Sequence, residues 1–469
     1  MRLEKLSTGV SGLDQILGGG LLKAGVYLIQ GIAGAGKTVL ANQIAFNRVA
    51  AGGKVAYVTL LAESHARMMQ HMELFSFYKE SAIPSAMHYI SAFDALSTDG
   101  LPGVASVLGA EMRQRKTDLI VLDGLVTAAG ASGSPQDLKL FIGQIQSMSM
   151  LAGCTTLLLN SIGTPTNPSP EQTMVDGILM LRQQLINSRH ERTVEIVKFR
   201  GSLILYGAHT FRIGDDGIVV FPQLEALSPV AGSRGSPAER IATGVPGLDE
   251  MLGGGYPAGS VTAIAGPEGS GKTLLGLQFL SRASERDPAL LFALDGSDKV
   301  AEEIGAAFGL DLGRMREAGL LRLAGPPRVS ESLDEMGYRL LSEVSSSGSR
   351  RLFIDGFVSI IGTPAYEERG AGFFSSLFSR LRQIGVTSVF SVRLERDGTA
   401  ETLGQVVSPL SDNTVRLNVA ERNHRLVRTA SIGKVQASPH DLSIRELDLT
   451  RSGLRVGPPL SDASGNAAI

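Results

Sequence analysis

The sequence contains one long unit twice, and this duplication limits the possible folds more than any other feature. The segment Ser7–Gly20, STGVSGLDQILGGG, recurs 235 residues later as Ala242–Gly255, ATGVPGLDEMLGGG. The glycine-rich segments Gly31–Thr38 and Gly266–Thr273 are also 235 residues apart. Two different motifs repeated with one offset indicate an internal duplication, so we expect both halves to fold in the same way.

Length and composition predict two globular domains. The 469 residues exceed what one hydrophobic core usually supports, and 43% hydrophobic with 19% charged residues is typical of a soluble globular protein. We predict a first domain at residues 1–224 and a second at residues 240–456. Residues 225–239, rich in Gly, Ser and Pro, are predicted to form a linker, and residues 457–469 a flexible tail.

Charge and cysteine content argue against several classes of protein. The 44 basic residues do not outnumber the 46 acidic ones, which disfavours nucleic acid as the main partner but leaves room for a local basic stripe. The single cysteine, Cys154, rules out disulfide bonds within the chain, and we expect it to be a small buried residue. Because the sequence has no apolar run of about 18 residues and no signal-peptide pattern, we predict a cytoplasmic protein without a membrane span.

Within each half, short apolar runs alternate with helical patterns. In the first half, apolar runs at residues 26–30 and 55–61 surround a helix that starts near Lys37. This alternation predicts an α/β fold, with a mostly parallel sheet flanked by helices. Strands buried on both faces also explain why Leu119–Leu122 and Leu352–Ile354 are continuously apolar.

Both glycine-rich segments match the phosphate-binding pattern GxxxxGK[ST], and each follows an apolar strand and opens a helix. Backbone N–H groups of such a loop surround phosphates, the lysine reaches the outer phosphates, and the threonine hydroxyl holds Mg²⁺. We therefore predict two sites for ATP, or a close relative, with Mg²⁺. The predicted nucleotide-binding residues are Gly31, Ile32, Ala33, Gly34, Ala35, Gly36, Lys37 and Thr38, then Gly266, Pro267, Glu268, Gly269, Ser270, Gly271, Lys272 and Thr273.

An acidic residue ends a buried apolar run in each half. Asp123 follows Leu119–Leu122, and Asp355 follows Leu352–Ile354. An acid at this position is the expected second anchor for Mg²⁺ in a P-loop NTPase. Because Asp-Gly also marks turns, a plain strand-end turn is the alternative. The predicted metal ligands are Thr38, Asp123, Thr273 and Asp355.

Together these features resemble the KaiC family, a branch of the RecA-like ATPases, over nearly the whole chain. The resemblance rests on the TGVxGLDxxLGGG signatures, the two phosphate loops and their acids, and the end of the first half, with VKFRG from Val197, GAHTFRI from Gly207 and GIVVFP from Gly217. It implies tandem RecA-like P-loop NTPase domains in a hexameric double ring, with ATP between neighbouring subunits. Protein partners are also expected, but the sequence does not identify them.

The resemblance assigns catalytic residues to the first half. The family places a pair of glutamates after the second core strand, and here Glu63 matches the second of them, making it the candidate base that activates water. Lys198 and Arg200 match a basic pair that faces the phosphates of the next subunit. At spacing i and i+2 on a strand we expect both side chains on one face. Ordinary solvated charges at strand ends and edges are the alternative.

The second half departs from this pattern twice. At the acid position it offers Asp295, which is one methylene shorter, followed by Gly296. At the basic pair Lys434 is retained, but Gln436 replaces the arginine, and glutamine cannot stabilise transition-state charge in the same way. We therefore expect the first domain to hydrolyse ATP and the second mainly to bind nucleotide, in a regulatory or signalling protein.

Two other functions remain open. Clock members of the family phosphorylate an adjacent Ser-Thr pair, and Pro409 occupies the threonine position here, so a serine/threonine autokinase would have to use Ser408 or Ser411. A RecA-like DNA-binding recombination ATPase is the other alternative. The low aromatic content of 5% and the lack of tryptophan disfavour it, because base stacking needs aromatic side chains.

Overall fold

The chain divides into two compact units, Met1–Leu227 and Ser228–Ile469. Among the residues that the structure describes, each unit has a nine-stranded sheet and a separate two-stranded sheet. The computed structural model describes residues 4–60, 65–125, 128, 130, 134–161, 170–186, 189–227, 239–294, 298–326, 331–356, 369–394, 407–422, 424–436 and 438–460.

From β3 (Val26–Gly31) to β8 (Gly177–Ile186) the first unit alternates strands and helices, and its last four strands follow one another directly. Its strands are β1 (Lys5–Leu6), β2 (Leu21–Leu22), β3 (Val26–Gly31), β4 (Val55–Thr59), β5 (Met87–Ser91), β6 (Leu119–Asp123), β7 (Thr155–Ser161), β8 (Gly177–Ile186), β9 (Arg189–Phe199), β10 (Ala208–Gly214) and β11 (Gly217–Phe221). Its helices are α1 (Leu13–Ile16), α2 (Lys37–Ala50), α3 (His65–Met72), α4 (Phe93–Gln114), α5 (Pro135–Ala152) and α6 (Pro170–Met174), with 3₁₀ turns at Glu80–Ala82 and Leu224–Ala226.

The large sheet of the first unit has the order β11-β10-β9-β8-β3-β7-β6-β4-β5. Six neighbouring strands of this sheet pair in parallel, in the order β8, β3, β7, β6, β4 and β5. Beyond β8, the strands β9, β10 and β11 continue the sheet as antiparallel hairpins. The carboxyl ends of the parallel strands meet at one edge, where Asp123 lies in register with Thr59 on one side and Leu159 on the other. Ligands of open parallel sheets bind at this edge.

The second unit repeats this arrangement. Its strands are β12 (Arg240–Ile241), β13 (Tyr256–Pro257), β14 (Val261–Gly266), β15 (Ala289–Ala293), β16 (Leu321–Ala324), β17 (Arg351–Asp355), β18 (Thr387–Arg393), β19 (Asn413–Arg422), β20 (Arg425–Val435), β21 (Arg445–Thr450) and β22 (Gly453–Pro459). Its helices are α7 (Pro246–Met251), α8 (Lys272–Leu280), α9 (Asp298–Ala307), α10 (Leu312–Glu317), α11 (Leu333–Ser347) and α12 (Gly370–Gln383).

The second sheet has the order β16-β15-β17-β18-β14-β19-β20-β21-β22, which is the order of the first sheet read from the other end. Its strands from β16 to β19 are parallel, and β20, β21 and β22 are antiparallel. The prediction of two mostly parallel α/β sheets flanked by helices is therefore confirmed.

Burial on both faces of the sheet explains the continuous apolar strands. In β3, Tyr27 and Ile29 belong to the same core as α2, whereas Val26 and Leu28 belong to the core on the opposite face, which includes residues of α4 and α5. Successive side chains of a strand point to opposite faces, so a strand covered on both sides needs apolar residues throughout. Cys154 is buried in the second of these cores, as predicted.

The chain ends of the two units differ in detail from the expected boundaries. The turn Leu224–Ala226 belongs to the first unit, and Leu224 is buried. In the second unit, β22 continues to Pro459, beyond the expected start of the tail at Gly457. Proline is compatible with an edge strand because its missing N–H is not needed for sheet pairing on the open side. Among the helices that the structure describes, none is both long and apolar enough to cross a membrane.

Candidate functional site

The first glycine-rich loop joins the end of β3 to the start of α2. Gly34 and Gly36 have φ angles of 78° and 102°, in the left-handed region that favours glycine, so the motif's glycines are needed for the turn. The Lys37 ammonium donates hydrogen bonds of 2.9 Å to the carbonyls of Gly31 and Ile32. Only 8% of Lys37 is exposed, and burial lowers the pKa of its ammonium while the nearby Asp123 charge opposes that change.

The second loop has the same construction between β14 and α8. Gly269 and Gly271 have φ angles of 74° and 103°. The Lys272 ammonium donates a 2.7 Å hydrogen bond to the Pro267 carbonyl. Burial lowers the pKa of Lys272, and the charge of Asp355 opposes this effect. Both lysines therefore point back along their own loop, at the start of a helix whose N-terminus attracts anions.

The predicted metal ligands of the second unit lie side by side. The Thr273 hydroxyl donates a 2.9 Å hydrogen bond to Asp355 Oδ2, and the Ser391 hydroxyl donates one of 2.5 Å to Asp355 Oδ1. A hydroxyl and a carboxylate supply the oxygen ligands that Mg²⁺ prefers. This pair therefore fits a magnesium ion, which would neutralise phosphate charge when bound.

In the first unit the corresponding residues line one cavity of about 550 Å³. Its lining includes Lys37, Thr38, Thr59, His65 and Asp123. Thr38 and Asp123 again combine a hydroxyl with a carboxylate, so this cavity also fits Mg²⁺ together with phosphate oxygens.

A buried tyrosine that sequence reasoning missed orients Asp123. The Tyr57 hydroxyl donates a 2.9 Å hydrogen bond to Asp123 Oδ2, and burial together with the Asp123 charge raises the pKa of the Tyr57 phenol well above its ordinary value. The ring packs 5.5 Å from that of Tyr89, whose hydroxyl donates to Asn42. The signal was present in the sequence, because a tyrosine in a fully buried strand needs a partner for its hydroxyl.

The second unit has no tyrosine at the corresponding place. Leu291 is the third residue of β15, as Tyr57 is the third residue of β4. Leu291 pairs with Phe353 of β17, and Tyr57 pairs with Val121 of β6, so the two occupy equivalent places. Asp355 instead receives its hydrogen bonds from Thr273 and Ser391. The two acids are thus oriented by different side chains.

Both candidate bases, Glu63 and Asp295, lie outside the described residues. The residue that follows the gap in the first unit is His65, whose Nε2 lies 2.9 Å from the Thr59 hydroxyl at the end of β4. Burial lowers the pKa of His65, an effect partly opposed by a hydrogen bond with the backbone of Ile90. The roles of Glu63 and Asp295 therefore stay predictions.

The basic pair of the first unit is placed differently from the sequence expectation. Lys198 lies in β9 and donates hydrogen bonds of 3.2 and 2.8 Å to the carbonyls of Gln172 and Thr173. Arg200 does not share that strand, because β9 ends at Phe199 and the chain turns.

The turn leaves the Arg200 side chain accessible. Gly201, with a φ angle of 75°, allows the turn directly after Arg200. The Arg200 side chain is 59% exposed and lies 3.8 Å from the Asp176 carboxylate. Burial lowers the pKa of Lys198, and the neighbouring Arg200 charge adds to this. Lys198 is thus engaged with its own chain, whereas Arg200 is held loosely.

The second unit places its counterparts in the same way. Lys434 donates hydrogen bonds of 3.1 and 2.8 Å to the carbonyls of Ser408 and Ser411. The Gln436 N–H donates to the Asp412 carbonyl at 3.1 Å, just as the Arg200 N–H donates to that of Asp176 at 2.8 Å. Gln436 therefore occupies the position of Arg200.

The two serines considered as phosphate acceptors differ in accessibility. Ser411 is buried, and its hydroxyl donates a 3.0 Å hydrogen bond to the Val407 carbonyl. Ser408 is partly exposed. A kinase would reach the Ser408 hydroxyl more readily than that of Ser411.

A phosphate loop after a central parallel strand, with an acid ending a strand two places away, defines both units as RecA-like P-loop NTPase domains. The family model described as "ATPase: KaiC" matches residues 6–225 and 241–461. The chain therefore belongs to the KaiC family of ATPases, and the predicted family resemblance is confirmed.

Curated relatives match over nearly the full length at low identity. The circadian clock oscillator protein KaiC of Prochlorococcus marinus subsp. pastoris is 24% identical over 493 residues, covering 99% of this chain and 92% of that protein. Circadian clock oscillator protein KaiC 1 of Synechocystis sp. is 26% identical, covering 99% and 90%. The KaiC protein of Picosynechococcus sp. is 25% identical, covering 97% and 90%.

Proposed function

We propose that this KaiC-family protein is a regulatory or signalling ring ATPase whose first domain hydrolyses ATP and whose second mainly binds nucleotide. The observation that carries the proposal is the equivalence of Arg200 and Gln436, which make the same backbone hydrogen bond in the two units. An arginine from a neighbouring subunit can stabilise charge on a transferred phosphoryl group, whereas glutamine has no charge to offer.

The side-chain contacts of the basic pair support this distinction. Lys198 and Lys434 both donate to carbonyls of their own chain, so they do not distinguish the two sites. Arg200 is exposed and only loosely held by Asp176, at 3.8 Å. An exposed ion pair of this kind is weak, so the guanidinium can exchange its partner for a phosphate at little cost.

In the proposed first site, Lys37 binds the outer phosphates, and Thr38 with Asp123 would hold Mg²⁺. Glu63 would accept a proton from the attacking water as the water oxygen bonds to the γ-phosphorus and the bond to the bridging oxygen breaks. Arg200 of a neighbouring subunit would stabilise the charge on the departing phosphoryl group. ADP and inorganic phosphate are the products.

This arrangement requires an oligomer, because Arg200 has to reach a phosphate of another subunit. We propose a homo-oligomer, hexameric by family resemblance, that works in the cytoplasm with protein partners. The curated relatives are named circadian clock oscillator proteins, and a regulatory role of that general kind is proposed here. Autokinase activity, the alternative, would fall on Ser408, because the Ser411 hydroxyl is buried.

Separate substitution of the two loop lysines tests the proposal. Lys37→Ala should remove most phosphate release but leave about half of the bound nucleotide, since the second loop is intact. Lys272→Ala should also halve the bound nucleotide but keep most phosphate release. Loss of turnover only in Lys272→Ala would contradict the proposed division of labour.

A further inference from the structure

An arginine lies directly beside the second phosphate loop. Arg393 ends β18 and is the register partner of Gly266, the first residue of that loop. Its Nη2 lies 3.0 Å from Oε2 of Glu268, which is inside the loop. In the first unit the residue in register with Gly31 is Ser161, so this arginine distinguishes the second site from the first.

The Arg393–Glu268 pair contributes little to the fold. The two side chains are 67% and 79% exposed, and ion pairs at such positions are weak because water screens them. Both groups can therefore change partners when another charged group arrives.

Glu268 places a negative charge on a loop that is built to surround phosphates. A triphosphate approaching this loop would be repelled by Glu268 and attracted by Arg393. The guanidinium fork matches phosphate oxygens in a bidentate manner, and such charge-assisted hydrogen bonds are stronger than neutral ones.

We propose that Arg393 is a phosphate-binding residue of the second site, paired with Glu268 in the nucleotide-free protein and transferred to the terminal phosphate of a bound nucleoside triphosphate. This inference rests on the proposed binding of nucleotide at the second loop. Arg393 would supply a cation from within the same chain. The second site needs one because Gln436 occupies the position that Arg200 has in the first unit. The second site would then prefer ATP to ADP without help from another subunit.

The test uses the full chain with Lys37→Ala, so that nucleotide binding reports on the second site, and measures Kd for Mg-ATP and Mg-ADP. Adding Arg393→Gln should weaken ATP binding about tenfold and ADP binding less than about twofold, since the arginine contacts the terminal phosphate. Adding Glu268→Gln should tighten ATP binding several-fold, a gain that misfolding cannot produce. The control is Arg316→Gln, which breaks another ion pair of 3.0 Å in the same unit, between the exposed Arg316 and the partly buried Glu302.

If the Arg393→Gln variant binds ATP as tightly as the Arg316→Gln control does, the inference is overturned. An equal loss for ATP and ADP would overturn it too, because that pattern indicates a general effect on the loop. Adding Lys272→Ala tests the underlying proposal separately, since it should abolish the remaining binding. A Lys37→Ala chain that binds no nucleotide would refute nucleotide binding at the second site and this inference with it.

Discussion

At the residue scale, the two acids predicted to bind Mg²⁺ are held by different neighbours. Asp123 accepts a hydrogen bond from the buried Tyr57 phenol, whereas Asp355 accepts from the hydroxyls of Thr273 and Ser391. Replacing a side chain that orients a metal ligand typically lowers metal affinity by about 10- to 100-fold. Tyr57 is therefore a positioning residue for the first site.

Tyr57→Phe should impair the first site while keeping the core filled. It removes the hydrogen bond to Asp123 but retains the ring, so we expect about a tenfold rise in the Mg²⁺ concentration needed for half-maximal phosphate release. The control is Tyr89→Phe, because the Tyr89 hydroxyl bonds to Asn42 rather than to the acid. An unchanged Mg²⁺ dependence in Tyr57→Phe would show that Asp123 needs no such support.

At the element scale, the parallel strands and the phosphate loops were predictable because each depends on residues that are close together in the sequence. A strand buried on both faces must be apolar throughout, as Leu119–Leu122 is, and a phosphate loop needs glycines at left-handed positions such as Gly36. The end of β9 was not predictable from the spacing of Lys198 and Arg200. The turn there depends on the left-handed Gly201, and alternating charges give no sign of where a strand stops.

Helix packing in the second unit gives a prediction with an unusual sign. Gly276 lies in α8, and a Cβ atom added there would overlap the ring of Phe353 in β17. Alanine normally stabilises a helix relative to glycine, but overpacking should make Gly276→Ala destabilising by about 1–3 kcal/mol. Thermal unfolding measures the change.

The matched control for that substitution is Gly372→Ala in α12, where an added Cβ would meet no atom within 4 Å. We expect it to stabilise the protein by about 0.5–1 kcal/mol, because alanine loses less backbone entropy than glycine on folding. Equal effects of the two substitutions would show that the contact of α8 with Phe353 is looser than described.

At the scale of the whole molecule, duplication explains the common fold, and divergence explains the difference in proposed function. The two sheets have the same strand order, and the loops have the same left-handed glycines. The sequence comparison of the two halves also located the Arg200 and Gln436 difference. A tyrosine in a buried strand signalled that its hydroxyl needs a partner, but only the fold identifies the partner of Tyr57 as Asp123. The role of Arg393 gave no such signal, because it depends on Glu268, which is distant in sequence.

The central claim, that the first site hydrolyses ATP with an arginine from a neighbouring subunit, is tested most directly by mixing two variants. Arg200→Gln keeps the first phosphate loop and Lys37→Ala keeps the arginine, so each alone should release little phosphate. Co-assembled in equal amounts, they should regain about a quarter of the wild-type rate, because random mixing unites an intact loop with an intact arginine at that share of interfaces. A co-assembled mixture no more active than the average of the two variants would contradict the claim.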